Sequence, residues 1–130
     1  MSNIFKIELA KDDLNQALNT WISHLKNEKR VSPHTVDAYY RDINSFMHFL
    51  IEHIGGPLSL RNLETLVASD FRAFMARKKR DGNCTRTIAR LMSSIRSLFE
   101  YFEKIEIIKN SAINNIRMPK LPQSIPKPLT

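Results

Sequence analysis

In the run "NCTRTIARLMSSIRSLFEYF", residues 83–102, strong hydrogen-bond donors gather on one side of an expected helix. At about 100° per residue, Arg86, Arg90, Ser93 and Ser97 fall within roughly 30° of one direction, and Ser94 and Arg96 flank it. Ile88, Leu91, Met92, Ile95, Leu98, Phe99 and Phe102 recur at three-and-four spacing and form the opposite, apolar stripe. No acid occurs between Asp81 and Glu100. A helix face that merely meets water mixes Glu with Lys. A face of arginines and small hydroxyls suits a polyanion instead, because guanidinium groups fork onto phosphates or guanine edges and small side chains permit close approach.

A second helix repeats the pattern. Opposite the stripe of Val36, Tyr39, Tyr40, Ile43, Phe46, Met47, Leu50 and Ile54 stand His34, Ala38, Arg41 and Ser45. The candidate contact residues are His34, Thr35, Ala38 and Arg41 on one helix, and Arg86, Thr87, Arg90, Ser93, Arg96 and Ser97 on the other. Lys79 and Arg80 join them from the end of the helix between. Arg90, central on its face, is expected to reach a guanine edge, whereas Lys79 offers a point charge to phosphate. Both are expected to point away from the core, so that replacing either leaves the fold intact.

Charge placement agrees. The 130-residue chain carries a net charge of +7, and residues 69–97 hold eight basic residues against two acids. Such clustering is the footprint of a polyanion, and nucleic acid is the commonest one. A protein-interaction bundle that meets an acidic partner is the competing reading, and a shift assay on double-stranded DNA separates the two. Membrane binding fits less well, because several helices carry matched apolar stripes that can bury one another.

Other chemistry finds little support. Tyr39, Tyr40 and Tyr101 read as core or rim aromatics. His48, Glu52 and His53 lack the spacing of zinc motifs, and Cys84 lies far away, so no metal or cofactor is expected. Gly55 and Gly56 read as a helix stop. One cysteine cannot form an internal disulfide, no signal peptide is visible, and no apolar run approaches the 18 or so residues of a spanning helix. A cytoplasmic protein is the expectation.

The elements that must position these faces are all helical. Residues 1–10 are expected to be a flexible N-terminal arm, and residues 11–116 a helical domain. A first helix runs from Asp12 to Lys29 with Leu14, Leu18, Trp21, Ile22 and Leu25 inward. Ser32 caps a second, which has Pro33 at its first position, continues to about His53 and stops at "GGP". After a loop with room for a short helical turn, Ser69 is the cap candidate for a third helix from Asp70 to Arg80, and Asp81, Gly82 and Asn83 make the turn into the fourth. A short fifth, Ser111 to Ile116, follows Asn110. From residue 117 four prolines in fourteen residues predict an extended linker, 117–130, to a further domain. The fold expected is an all-α bundle of four to five helices.

Three runs in order resemble a known family. "WISHLKNEKRVSPHTVDAYYRDINSFMHFL" is similar to the opening of the core-binding domain of tyrosine recombinases, the phage-integrase and Xer family. That opening shows a helix, a basic Ser-Pro-x-Thr turn and then Tyr-x-x-Asp-Ile/Leu-x-x-Phe. "GNCTRTIARLMSSIRSLFEYF" resembles the family's later Arg/Ser-rich helix, and "NSAINNIRMPKLPQSIPKPLT" its passage into the catalytic domain. Departures are Cys84 and Thr85 where Ser and often Pro are usual, a slightly shifted basic pattern after Met92, and Ser111 in place of Pro. The resemblance implies a SAM-like bundle that clamps a recombination half-site on double-stranded DNA, its second and fourth expected helices entering or straddling the major groove. It also implies partner recombinase subunits on the DNA. The family's chemistry belongs to a catalytic domain that would follow Thr130, so residues 1–130 themselves should not cut DNA. Among subfamilies the linker looks closest to the chromosomal Xer recombinases that resolve chromosome dimers, with a phage or integron integrase the nearest alternative.

Overall fold

A computed structural model describes residues 3–119. Five α-helices make the bundle: α1 (Asp12–Ser23), α2 (Pro33–Ile54), α3 (Leu60–Glu64), α4 (Ala68–Arg80) and α5 (Thr85–Lys104), followed by a 3-10 turn, Ala112–Asn115. Among the described residues there is no strand, only an isolated parallel bridge between Ala10 and Leu58. The chain is all-α, as expected, and the fourth expected helix is α5 because α3 is a helix in its own right.

Local chemistry sets most boundaries. The Ser32 hydroxyl accepts from the Thr35 N–H at 3.2 Å, and Pro33 opens α2. Gly55 ends it at φ +84°, its N–H donating to the Ile51 carbonyl, a left-handed position that a side chain would strain. Ser69 is not the cap of α4. That helix begins at Ala68, and the Asp70 carboxylate reaches back to the Val67 N–H at 2.8 Å, because an acid at the third position can satisfy the entering backbone. The first helix does not stay α-helical to Lys29. After Ser23 it widens into a π turn, His24–Glu28, closed by the Lys29 N–H on the His24 carbonyl, before Arg30 adopts φ +51°. The expected fifth helix is the tighter 3-10 turn. Asn110 donates to the carbonyls of Leu63 and Leu66 and accepts from the Ala112 N–H, pinning this segment to the α3–α4 connection.

The loose arm expected for residues 1–10 is not what residues 3–10 form. Phe5 and Ile7 alternate with the exposed Ile4, Lys6 and Glu8, and both are buried. Two asparagines on α1, four apart, serve as a backbone surrogate. The Asn19 carboxamide accepts from the Phe5 N–H (2.6 Å) and donates to its carbonyl (3.1 Å), and Asn15 does the same for Ile7 (3.0 Å each way). The Tyr40 hydroxyl holds the Ile4 carbonyl at 2.9 Å. An extended segment needs partners for its backbone, and these carboxamides supply them. Met1 and Ser2, and the expected linker from residue 120 on, lie outside the described residues. Within 117–119, Met118 packs partly against the core.

The core is one cluster to which every helix and the N-terminal segment contribute, with aromatic rings gathered where α2, α4 and α5 meet. Phe46 stacks on Phe71 (5.7 Å between centroids) and meets Phe74 edge-on (5.0 Å), while Phe71 meets Phe99 edge-on (5.6 Å). Each such side chain contributes about 1.5–3 kcal/mol through burial. Trp21 is fully buried, with Tyr39 edge-on against it. The most extensive packing between separate helices is that of α2 on α5.

Candidate nucleic-acid interface

Between α2 and α5 runs a groove of about 350 Å³ lined by His34, Thr35, Ala38, Tyr39, Asp42, Arg90, Ser93 and Ser94. Five of these, His34, Thr35, Ala38, Arg90 and Ser93, are among the candidate contact residues named from the sequence. Ala38 and the serines keep the groove open at the point where the helices cross.

At its base lies an ion pair. Asp42 is 2% exposed, and its carboxylate takes three hydrogen bonds from α5. Arg90 donates through Nη2 to Oδ1 (2.8 Å) and through Nε to Oδ2 (3.2 Å), and the Ser94 hydroxyl donates to Oδ2 (2.7 Å). A carboxylate taken out of water is costly unless it is paired and hydrogen-bonded, and here three of its roughly four lone-pair sites are filled, two of them by a guanidinium. Arg90 is thus tied to the helix–helix interface by one edge of its guanidinium, while its side chain remains 55% exposed. Arg90 is exposed, as a residue pointing away from the apolar stripe should be, but its bond to a buried carboxylate means that replacing it is not neutral for the fold.

The remaining candidates do not line the groove. Arg41 on α2 and Arg86 in the first turn of α5 are exposed and enter no ion pair among the described residues. Ser97 lies in the next depression along α5, beside Trp21, His24 and Tyr101. His24 stacks on Tyr101 at 4.5 Å, and burial, then the Glu28 charge, raises the Tyr101 phenol above its ordinary value. Arg96 is half-buried, and its Nε is buried without a partner, which sets it apart from the exposed cations of the rim. At the end of α4 the four-residue basic run divides. Arg77 is drawn to Glu52 (3.4 Å) and Asp81 (3.6 Å) and Lys78 lies over the Phe74 ring (5.6 Å), whereas Lys79 and Arg80 are exposed.

Thr87 is turned to a neighbour. Its hydroxyl lies 3.3 Å from the Cys84 Sγ, and hydrogen bonding from Thr87 holds the exposed Cys84 thiol below its ordinary pKa. Cys84 occupies the cap position of α5 but makes no side-chain cap bond.

The helical pattern missed Asp42 and Ser94. Asp42 stood in the quoted Tyr-x-x-Asp run without a role, and Ser94 appeared only as a flank of the cationic face. Spacing along α2 does not separate Asp42 from Asp37, which flanks the same face from the other side and is exposed, so neither helix alone signals the pairing.

The family described as phage integrase, N-terminal SAM-like domain, matches residues 18–104. Similar curated proteins include the tyrosine recombinase XerC of Mesorhizobium japonicum, 39% identical over 93% of this chain and 39% of the relative. Those of Brucella suis (38% identical, 93% of this chain, 38% of the relative) and Bradyrhizobium diazoefficiens (39% identical, 95% and 39%) are comparable. The chain therefore spans about two fifths of the length of these relatives. No solved structure matches it.

Proposed function

The chain belongs to the phage-integrase N-terminal SAM-like domain family, and from that premise we propose that it is the DNA-binding module of a site-specific tyrosine recombinase, holding one half-site through α2 and α5. The observation that carries this reading is the groove between those helices. Thr35, Ala38, Ser93 and Ser94 line it with little bulk, Arg90 brings to it a guanidinium on a half-exposed side chain, and Asp42, the one acid lining it, is already bonded to Arg90 and Ser94. Nothing anionic in the groove then opposes a phosphate backbone, and Arg41 and Arg86, exposed on the same two helices, supply cations that favour one.

In this reading residues 11–116 are the DNA-binding unit and 117–130 the linker to the catalytic domain of the same protein. Partner recombinase subunits would meet on the DNA, in the cytoplasm. The relatives' name, tyrosine recombinase, supports cleavage chemistry for the whole protein, and resolution of chromosome dimers is the role that the resemblance to chromosomal Xer recombinases implies. No helix among the described residues is long and apolar enough to cross a membrane.

A shift assay with duplex DNA tests the proposal. If about four phosphates are neutralised, the counterion slope of roughly −0.9 per contact gives about a hundredfold weakening between 50 and 200 mM salt. Absence of binding, or binding indifferent to salt, would favour a protein-interaction bundle instead.

A further inference from the structure

Asp42 lies outside every set of residues expected to touch DNA, yet it governs the most central of them. Arginine has five N–H groups. The bonds from Nε and Nη2 occupy one side of the guanidinium, which leaves the end-on edge, both Nη1 hydrogens and the second on Nη2, unoccupied by Asp42. That edge is the fork that fits the two acceptors of a guanine in the major groove. Ser94 fixes the carboxylate in turn, and all three side chains line the same groove.

We propose that Asp42 is a positioning residue for DNA reading: it locks Arg90 in one orientation and offsets its charge, so that Arg90 contributes base preference rather than general attraction to phosphate. This rests on the DNA-binding reading above. A lone arginine on a helix surface explores many rotamers and follows the nearest phosphate, whereas an arginine fixed by a buried carboxylate presents its donors before DNA arrives. With its charge offset, it also takes little part in counterion release.

The test uses the 130-residue chain with a pool of randomised short duplexes. Bound duplexes are sequenced, and affinity for the pool is measured at two salt concentrations. The unmodified chain should enrich one base at one position at least. Asp42→Asn should lower that enrichment about tenfold, the size of one lost bidentate contact. At the same time its salt dependence should steepen by up to about one contact, because the freed guanidinium charge meets phosphate. A merely structural role for Asp42 would reduce the bound fraction and leave both enrichment and slope unchanged. In an Arg90→Ala background, Asp42→Asn should alter neither. Should Asp42→Asn melt below the assay temperature, Ser94→Ala carries the test, since it loosens the carboxylate while keeping both charges. Its enrichment should fall about threefold at an unchanged slope. Intact enrichment in the variant that remains folded overturns the positioning role alone. Failure of the unmodified chain to bind any duplex overturns the DNA-binding reading and the positioning role with it.

Discussion

Arg86 and Arg90 stand one turn apart on the same face of α5, and the bundle treats them in opposite ways. Arg90 is tied at 2.8 Å to a carboxylate that is 2% exposed, while Arg86 is exposed and enters no ion pair among the described residues. The same division separates the groove from the end of α4, where Lys79 and Arg80 reach into solvent. Two kinds of cation therefore share one surface. A tethered one has lost its rotamer entropy in folding and can meet a ligand in a fixed direction, and an untethered one supplies charge without direction.

The largest effect that can break this comparison is on stability. Arg90→Ala leaves Asp42 with only the Ser94 hydroxyl, and removing one partner of a buried pair costs about 3–5 kcal/mol. Because Arg90 is 55% exposed, water can enter the vacated site, so a loss of about 2–3 kcal/mol is expected from urea denaturation. Arg86→Ala should change stability by no more than about 0.5 kcal/mol. Equal losses for the two variants would erase the distinction between tethered and untethered cations.

A smaller effect sharpens it in binding. Lys79→Ala and Arg86→Ala should each make the salt dependence of duplex binding shallower by about one contact, roughly threefold in affinity over the range from 50 to 200 mM. Arg90→Ala should shift the slope by less, since Asp42 already offsets that charge. A full unit lost with Arg90 would make it an ordinary phosphate clamp.

The smallest effect concerns the first turn of α5. With its thiol pKa lowered, Cys84 should be alkylated by iodoacetamide with a pH midpoint below that of an unperturbed cysteine, and Thr87→Val should move the midpoint upward by removing the hydroxyl that favours the thiolate. The same substitution should affect duplex affinity less than Arg86→Ala does. An unmoved midpoint would release the Thr87 hydroxyl for contact with DNA.

Much of this was legible before any fold. The Ser-Pro start and Gly stop of α2, the apolar stripe of α5 and the two cationic faces follow from spacing, because capping and amphipathicity are local rules. The N-terminal segment was not, since Phe5 and Ile7 are ordered by carboxamides on α1 that lie 8–14 residues on. Ser69 misled because Asp70, one residue later, could satisfy the entering backbone of α4 equally well.

By itself the sequence determined an all-helical chain, its main helix ends, which sides of α2 and α5 turn inward, and an excess of positive charge on the sides that turn outward. Only the tertiary structure decided which of those charges stay independent. Asp42 and Arg90 are 48 residues apart, and no periodicity within either helix reports the other. Their pairing depends on the angle and offset at which α2 crosses α5, and that is set by how the whole core packs. Periodicity is a property of one helix. Burial of a charge, and the partner it then requires, is a property of two.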